Sequence, residues 1–84
     1  MRNYAPAYSQ AALDALISAK LARRTRAIDA IMRLCRRPQQ AGDCAITDED
    51  GRMCQMLMSD GVLLTYWADD AVCELRIIAI DWTD

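Results

Sequence analysis

Apolar residues recur at helical spacing through the first half of the chain. Ser9 is a suitable N-cap for a first helix, and a second helix is predicted over residues 22–36. Pro38 ends the second helix, because the residue before a proline is pushed out of the helical region. The predicted apolar faces are Ala12, Leu13, Leu16 and Ile17 in the first helix, and Ala27, Ile28, Ile31, Leu34 and Cys35 in the second. The short connection between the helices favours an antiparallel hairpin.

In the second half the apolar residues change to a period of two, which is typical of strands. Three strands are predicted over residues 53–58, 62–67 and 72–80, with Gly or Asp in the turns between them. In the last strand a uniformly apolar row is expected to face the helices: Cys73, Leu75, Ile77 and Ala79. The mixed row is expected to be more exposed: Val72, Glu74, Arg76, Ile78 and Ile80.

The remaining segments carry weaker patterns. Residues 4–8 could form a short extended piece, which Pro6 would restrict to a sheet edge. Residues 39–51 are predicted to be a loop. Its acidic end, residues 48–51, predicts a turn and not a calcium loop, since Ile46 and Leu57 stand where an EF-hand requires acidic ligands. The predicted fold class is α+β, with an N-terminal helical hairpin packed on a small antiparallel β-meander.

Length and composition limit the class of protein. A chain of 84 residues with 54% apolar content predicts one domain, spanning residues 1–84, with a single core. The first apolar run, residues 11–21, is interrupted by Asp14 and Lys20. It is too short for a membrane span or a signal-peptide core. We therefore expect a cytoplasmic protein without membrane contact.

The sequence gives little support for a metal site or for disulfide bonds. The four cysteines form no Cys-x-x-Cys pair and the chain has no histidine, so the usual zinc spacings are missing. Without a secretion signal, a disulfide framework is not expected either. We predict free thiols, no metal site and no cofactor.

Charge is divided between the two halves. Residues 1–42 contain eight basic and two acidic side chains, a net charge of +6, whereas residues 43–84 contain two basic and ten acidic ones, a net charge of −8. Four arginines fall on one arc of the second helix: Arg23, Arg26, Arg33 and Arg37. Such a stripe suits contact with nucleic-acid phosphates. It suits an acidic protein partner or simple solvation equally well, and the acidic half disfavours non-specific binding to polyanions.

The mixed face of the last strand is a candidate docking surface. Its end is apolar and lies near two tryptophans, so a partner could dock on Trp67, Ile78, Ile80 and Trp82. The alternative is that the end of the chain or a long loop covers this surface.

The order of these elements resembles the RelE/ParE family of bacterial toxins from type II toxin–antitoxin systems. The resemblance spans about residues 8–80, and the stretches that carry it are Asp50-Gly51-Arg52, Leu64-Thr65-Tyr66-Trp67-Ala68-Asp69 and Glu74-Leu75-Arg76-Ile77-Ile78. It implies a toxin that is neutralised by a cognate antitoxin. It also implies one of two targets, either the ribosome and its mRNA, which RelE-like members cleave, or DNA gyrase, which ParE-like members inhibit.

The family's nuclease residues are mostly absent from this sequence. The resemblance implies an arginine early in the middle strand, where this chain has Leu63, and a basic, aromatic end, where it has Asp81-Trp82-Thr83-Asp84. RNA cleavage without a metal needs acid–base groups and a cation near the phosphate. Arg52 and Arg76 are candidate cations, and Tyr66 is a candidate proton donor only if it faces outwards.

Three functions are therefore open. The leading hypothesis is a toxin that acts by binding its target. The second is a ribosome-dependent, metal-independent endoribonuclease that uses Arg52 and Arg76. The third is a non-toxic protein-interaction module that keeps the fold.

Overall fold

The computed structural model describes residues 3–83, which form two helices against one sheet. In chain order these elements are β1 (Ala5–Tyr8), α1 (Gln10–Ser18), α2 (Leu21–Arg36), β2 (Cys44–Thr47), β3 (Met53–Ser59), β4 (Val62–Asp69) and β5 (Glu74–Trp82). Neither helix in this part of the chain is long and apolar enough to cross a membrane.

The strands form a five-stranded sheet in the order β1-β5-β4-β3-β2. β1 is parallel to β5, whereas the other pairs are antiparallel. The predicted α+β arrangement, a helical hairpin on a sheet, is confirmed, but the sheet is mixed and has two more strands than the meander. β2 lies inside the predicted loop, and the prediction missed it because all four of its residues are exposed and show no apolar alternation. The extended piece before Ser9 exists as the edge strand β1.

Two side chains fix the ends of α1. The Ser9 hydroxyl oxygen accepts a hydrogen bond from the Ala12 amide at 3.0 Å and donates one to the Ile78 carbonyl at 2.6 Å, so the helix start is joined to β5. At the other end, the Arg24 guanidinium donates to the carbonyls of Leu16, Ile17 and Ala19 at 2.9–3.3 Å. Carbonyls at a helix C-terminus lack partners within the helix, and Arg24 supplies them.

The core lies between the helices and the sheet. It consists of Ala12, Leu16, Ala27, Ala30, Ile31, Leu34, Cys35, Val62, Leu64, Tyr66, Leu75, Ile77 and Ile80. Three residues predicted for the apolar helix faces are exposed to solvent. The exposed fraction of the residue is 39% for Leu13, 65% for Ile17 and 38% for Ile28. The sheet contacts a rotated and narrower arc of each helix, so Ala30 is buried where Ile28 was expected.

A β-bulge changes the face on which the end of β5 lies. Thr65 pairs with Ala79, but Tyr66 pairs with Ile77, so Ile78 is an extra residue between them. Beyond the bulge, Ile80 pairs with Leu64 and faces the helices, with 5% of its surface exposed. The prediction that Ile80 lies on the exposed row is therefore wrong, because the bulge interrupts the period of two.

Candidate functional site

The helices cover one face of the sheet and leave the other open within residues 3–83. Alternation along β4 sends Leu64 and Tyr66 to the helices, so Leu63, Thr65 and Trp67 lie on the opposite face. Their cross-strand partners share that face, since directly paired residues project to the same side. We call this surface the open face.

Two arginines lie against Trp67 on the open face. The guanidinium carbon of Arg52 lies 4.0 Å from the centre of the indole ring, and that of Arg76 lies 5.6 Å from it. Both distances are within the range of cation–π attraction. Arg76 also forms ion pairs with Asp69 at 3.1 Å and Glu74 at 3.0 Å. The structure thus brings together the two arginines selected from the sequence, and one of them already has two carboxylate partners.

The acidic turn before β3 positions Arg52. The Asp48 carboxylate accepts hydrogen bonds from the amides of Asp50 and Arg52 at 2.9 and 2.8 Å, which closes the turn. Gly51 has a φ of 80°, a conformation that glycine adopts without strain. The predicted turn is present. Its role in holding Arg52 over Trp67 was not foreseen, although an Asp followed by Asp-Gly is a recognisable signal for such a turn.

Cys54 lies beside this turn and is fully buried. Its thiol sulfur is 3.9 Å from an Asp48 carboxylate oxygen and from the Arg52 carbonyl. Burial, and after it the negative charge of Asp48, raises the pKa of the thiol, although Arg52 acts in the opposite direction. A protonated, buried thiol is a weak nucleophile, so Cys54 contributes packing at this site.

Tyr66 lies on the helix-covered face, away from the two arginines. Its side chain is 1% exposed, and its hydroxyl donates to the Gln40 carbonyl at 3.1 Å. Burial, and to a smaller extent the charge of Asp43, raises the pKa of this phenol. The condition for Tyr66 as a proton donor, that it face outwards, is not met.

A row of apolar side chains lies in the middle of the open face. Met58 pairs with Leu63, which in turn pairs with Asp81 of β5. One position along, Met56 pairs with Cys44 of β2 and with Thr65. The position where the resemblance implies an arginine thus lies between a methionine and an aspartate.

The four predicted docking residues lie in three different places. Trp67 is on the open face, Ile78 is the half-buried bulge residue, and Ile80 is in the core. Trp82 pairs with Val62 and packs against the core on the helix side, 5.8 Å from the guanidinium of Arg23. These residues therefore do not form one surface.

The four arginines predicted for target contact run along the flank of α2 toward the β3–β4 turn. Arg26 donates to the Asp60 carbonyl at 3.1 Å, and Arg33 donates to the Ser59 hydroxyl at 3.2 Å. Arg23 lies near Trp82, and Arg37 is exposed after the last turn of α2. Part of this stripe is thus engaged with the sheet, and its proposed contact with a target stays a prediction.

The four cysteines form no disulfide. All four are free thiols, with Cys35 and Cys54 buried, Cys73 half-buried and Cys44 exposed. Within residues 3–83, no group of three or more Cys, Asp or Glu side chains has an arrangement that could hold a metal ion.

Neither a protein-family model nor a curated protein matches the sequence. Solved structures do match the fold. A chain of the toxin–antitoxin complex RelBE2 from Mycobacterium tuberculosis aligns with a TM-score of 0.78 and 18% identity, covering 96% of this chain and 99% of that one. The isolated RelE toxin of E. coli aligns with a TM-score of 0.75 and 14% identity, over 96% of this chain and 85% of that one.

An archaeal example shares the same architecture. A chain of the RelE–RelB complex from Pyrococcus horikoshii aligns with a TM-score of 0.72 and 13% identity, covering 98% of this chain and 97% of that one. The helical hairpin and the strand arrangement are therefore common to chains that share fewer than a fifth of their residues. This protein has the fold of the RelE toxins.

Proposed function

We propose that this protein is a RelE-like toxin that acts by binding a cellular target, without cleaving RNA, and that a cognate antitoxin neutralises it. The fold supports the toxin–antitoxin assignment, because the matching structures include RelE toxins alone and in complex with antitoxins. The chemistry of the open face favours binding over catalysis.

The observation that carries this proposal is the arrangement of Arg52, Trp67 and Arg76. A cation that stabilises a developing phosphate charge must be available to it. Arg76 is paired with Asp69 and Glu74, and both arginines lie against the indole ring. A phosphate would have to displace these partners in the presence of two nearby carboxylates, which repel it.

The acid–base groups of this face also favour binding over catalysis. RNA cleavage by attack of a 2′-hydroxyl needs a group that accepts a proton and one that donates it near neutral pH. The chain has no histidine, and the Tyr66 hydroxyl is buried on the other face with its pKa raised by burial. The alternative endoribonuclease would thus have to use carboxylates such as Asp69 and Glu74, which are already paired with Arg76, as its acid–base groups.

Inducible expression in bacteria, combined with primer extension on a message in cell-free translation, tests the proposal. We expect growth arrest with an intact message, and relief of the arrest when the product of the adjacent gene is co-expressed. The variant Gln10→Ala, on the exposed start of α1, serves as the matched control and should behave as the wild type.

Three results would change the conclusion. Message cleaved at defined positions, and left intact by Arg52→Ala and Arg76→Ala variants, would establish the endoribonuclease instead. Normal growth together with a stable complex with the adjacent gene product would favour the non-toxic interaction module. Normal growth without any such complex would reject the toxin–antitoxin assignment.

A further inference from the structure

The open face contains an apolar strip that residues 3–83 leave uncovered. We define the methionine strip as Met56 and Met58 of β3, Leu63 of β4, and Cys44 and Ile46 of β2. The register places Met58 beside Leu63 and Met56 beside Cys44. Met58 keeps 52% of its surface exposed and Ile46 keeps 42%. Adjacent exposed apolar side chains of this kind mark a binding surface more often than scattered single ones do.

Carboxylates surround the methionine strip. Asp81 lies directly across from Leu63, and the Asp43 carboxylate accepts a hydrogen bond from the Met58 amide at 2.8 Å, which places it at the edge of β3. At the opposite end of the face, Asp69 and Glu74 are both ion-paired with Arg76, and Arg52 lies beside them on Trp67. The strip is therefore an apolar surface whose acidic rim consists of Asp43 and Asp81.

Trp67 adds a hydrogen-bond donor without an acceptor at the end of the open face where Arg52 and Arg76 lie. Its indole nitrogen is buried and has no hydrogen-bond partner within the described chain. The ring is covered by the exposed side chain of Arg52, which a ligand could displace. A buried donor without an acceptor is uncommon in folded proteins, and a carbonyl of a bound peptide would satisfy it.

We propose that the open face binds a cationic amphipathic segment of a partner protein, in which lysine or arginine side chains are interspersed with apolar ones. Apolar side chains of the segment contact the methionine strip, and its cations lie at Asp43 and Asp81. Methionine suits this role because its unbranched, polarisable side chain adapts to different partners. Charge complementarity around an apolar centre is the usual arrangement of a specific interface.

The same features disfavour two other occupants. RNA would bring phosphates to a rim of carboxylates, where like charges repel. A second copy that used its own open face would bring two acidic rims together. A second copy that used its basic α2 flank would satisfy the charges, but such a head-to-tail contact would produce rings or chains, which appear as concentration-dependent self-association.

This inference rests on the proposed function only in assigning the open face to binding. The test below measures binding and not growth. A failure of the toxicity assay therefore leaves the inference standing, and a failure of the peptide assay leaves the toxin assignment standing.

The probe is a short synthetic peptide of alternating lysine and leucine, titrated while the tryptophan fluorescence of the intact protein is followed. Met58→Lys introduces a charge into the strip, and Asp81→Lys reverses one at the rim. Asp29→Lys makes the same reversal on the exposed surface of α2 and is the matched control. We expect a loss of affinity of about tenfold or more for each open-face variant and less than about threefold for the control. A glutamate–leucine peptide should bind wild type at least about tenfold more weakly.

Hydrogen exchange on the wild-type complex locates the peptide, with protection expected in β3 and β4. Circular dichroism confirms that each variant is folded, which is expected because all three positions are exposed. Equal loss of affinity in all three variants would overturn the inference, since it would indicate attraction to net charge alone. Tighter binding of a single-stranded oligoribonucleotide at β3 and β4, or self-association without peptide, would overturn it as well.

Discussion

On the helix-covered face of the sheet, Leu64, Leu75 and Ile77 are fully buried, and Tyr66 uses its hydroxyl to hold the loop after α2. On the open face, Met58 keeps about half of its surface exposed, and Arg52 and Arg76 lie on Trp67. The first face is constrained by packing, because a change in volume of even one methylene group alters the stability of a close-packed core. The second face is packed only at its centre, where Cys54 and Thr65 are buried, and its exposed part is constrained by what it binds.

This difference accounts for a fold that persists at 13–18% identity to the matching structures. Substitutions on the helix-covered face must conserve volume and apolar character. Substitutions of the exposed side chains on the open face cost little stability, so its chemistry can change while the hairpin and the strand order remain. Position 63 is an example, since this chain has leucine where the resemblance implies arginine.

The largest contrast between the faces is expected from truncating one side chain on each. Ile31→Ala removes a fully buried side chain of α2 and should lower the free energy of unfolding by about 2–5 kcal/mol. Met58→Ala on the open face should change it by less than about 1 kcal/mol. Urea denaturation followed by circular dichroism measures both. Similar losses in the two variants would show that the open face is covered in solution.

A smaller decrease in the free energy of unfolding is expected from truncating Arg24, which joins the two helices. Arg24→Ala leaves three carbonyls at the end of α1 without their donor and should cost about 1.5–3 kcal/mol, the range for hydrogen bonds from charged groups. Arg36→Ala, on the exposed end of α2, is the control and should cost about 0.5 kcal/mol or less. Thermal unfolding compares the two. A loss as small as that of the control would mean that water replaces the guanidinium at these carbonyls.

A pH series compares the faces through their ionisable groups. Burial raises the pKa of Tyr66, Tyr8, Cys35 and Cys54 in the folded protein. The unfolded chain therefore loses these protons first as the pH rises. Stability from these groups is fully present below the ordinary cysteine pKa of 9.0 and falls above it. The urea concentration at the unfolding midpoint should stay constant from neutral pH to about 9 and decrease above it. A midpoint that does not change with pH would contradict the assignment of these groups as buried and neutral.

The smallest effect on stability is expected at Arg52. Arg52→Ala removes an exposed cation–π contact, which contributes about 0.5–1 kcal/mol. It should nevertheless increase quenching of Trp67 by acrylamide, because the guanidinium covers the ring. The measurement is made in a Trp82→Phe background, in which the tryptophan fluorescence comes from Trp67. Unchanged quenching would show that Arg52 does not cover Trp67 in solution.

Local pattern predicted the parts of the fold that local chemistry determines. The period of α2 located that helix to within one residue at its start, since Pro38 and the apolar arc leave few alternatives. β2 was missed because Cys44–Thr47 is an exposed edge whose formation depends on pairing with β3. The face of Ile80 was wrong because a bulge is set by the pairing of β4 with β5.

The candidate site was predicted only as separate residues. Arg52 and Arg76 were selected as candidate cations for the RNA cleavage that the resemblance implies. Their meeting at Trp67 depends on the register of three strands and on the Asp48 turn, and residue type alone carries neither. Tyr66 was selected for its chemistry, but its surroundings place it in the core.

The extra residue at Ile78 has a consequence for how this chain tolerates change in length. Deletion of that one codon would restore simple alternation along β5. Ala79 would still lie opposite Thr65 and Ile80 opposite Leu64, so Ile80 and Asp81 would keep their present faces. A shortening by a single amino acid at this position would thus leave the buried face of β5 intact.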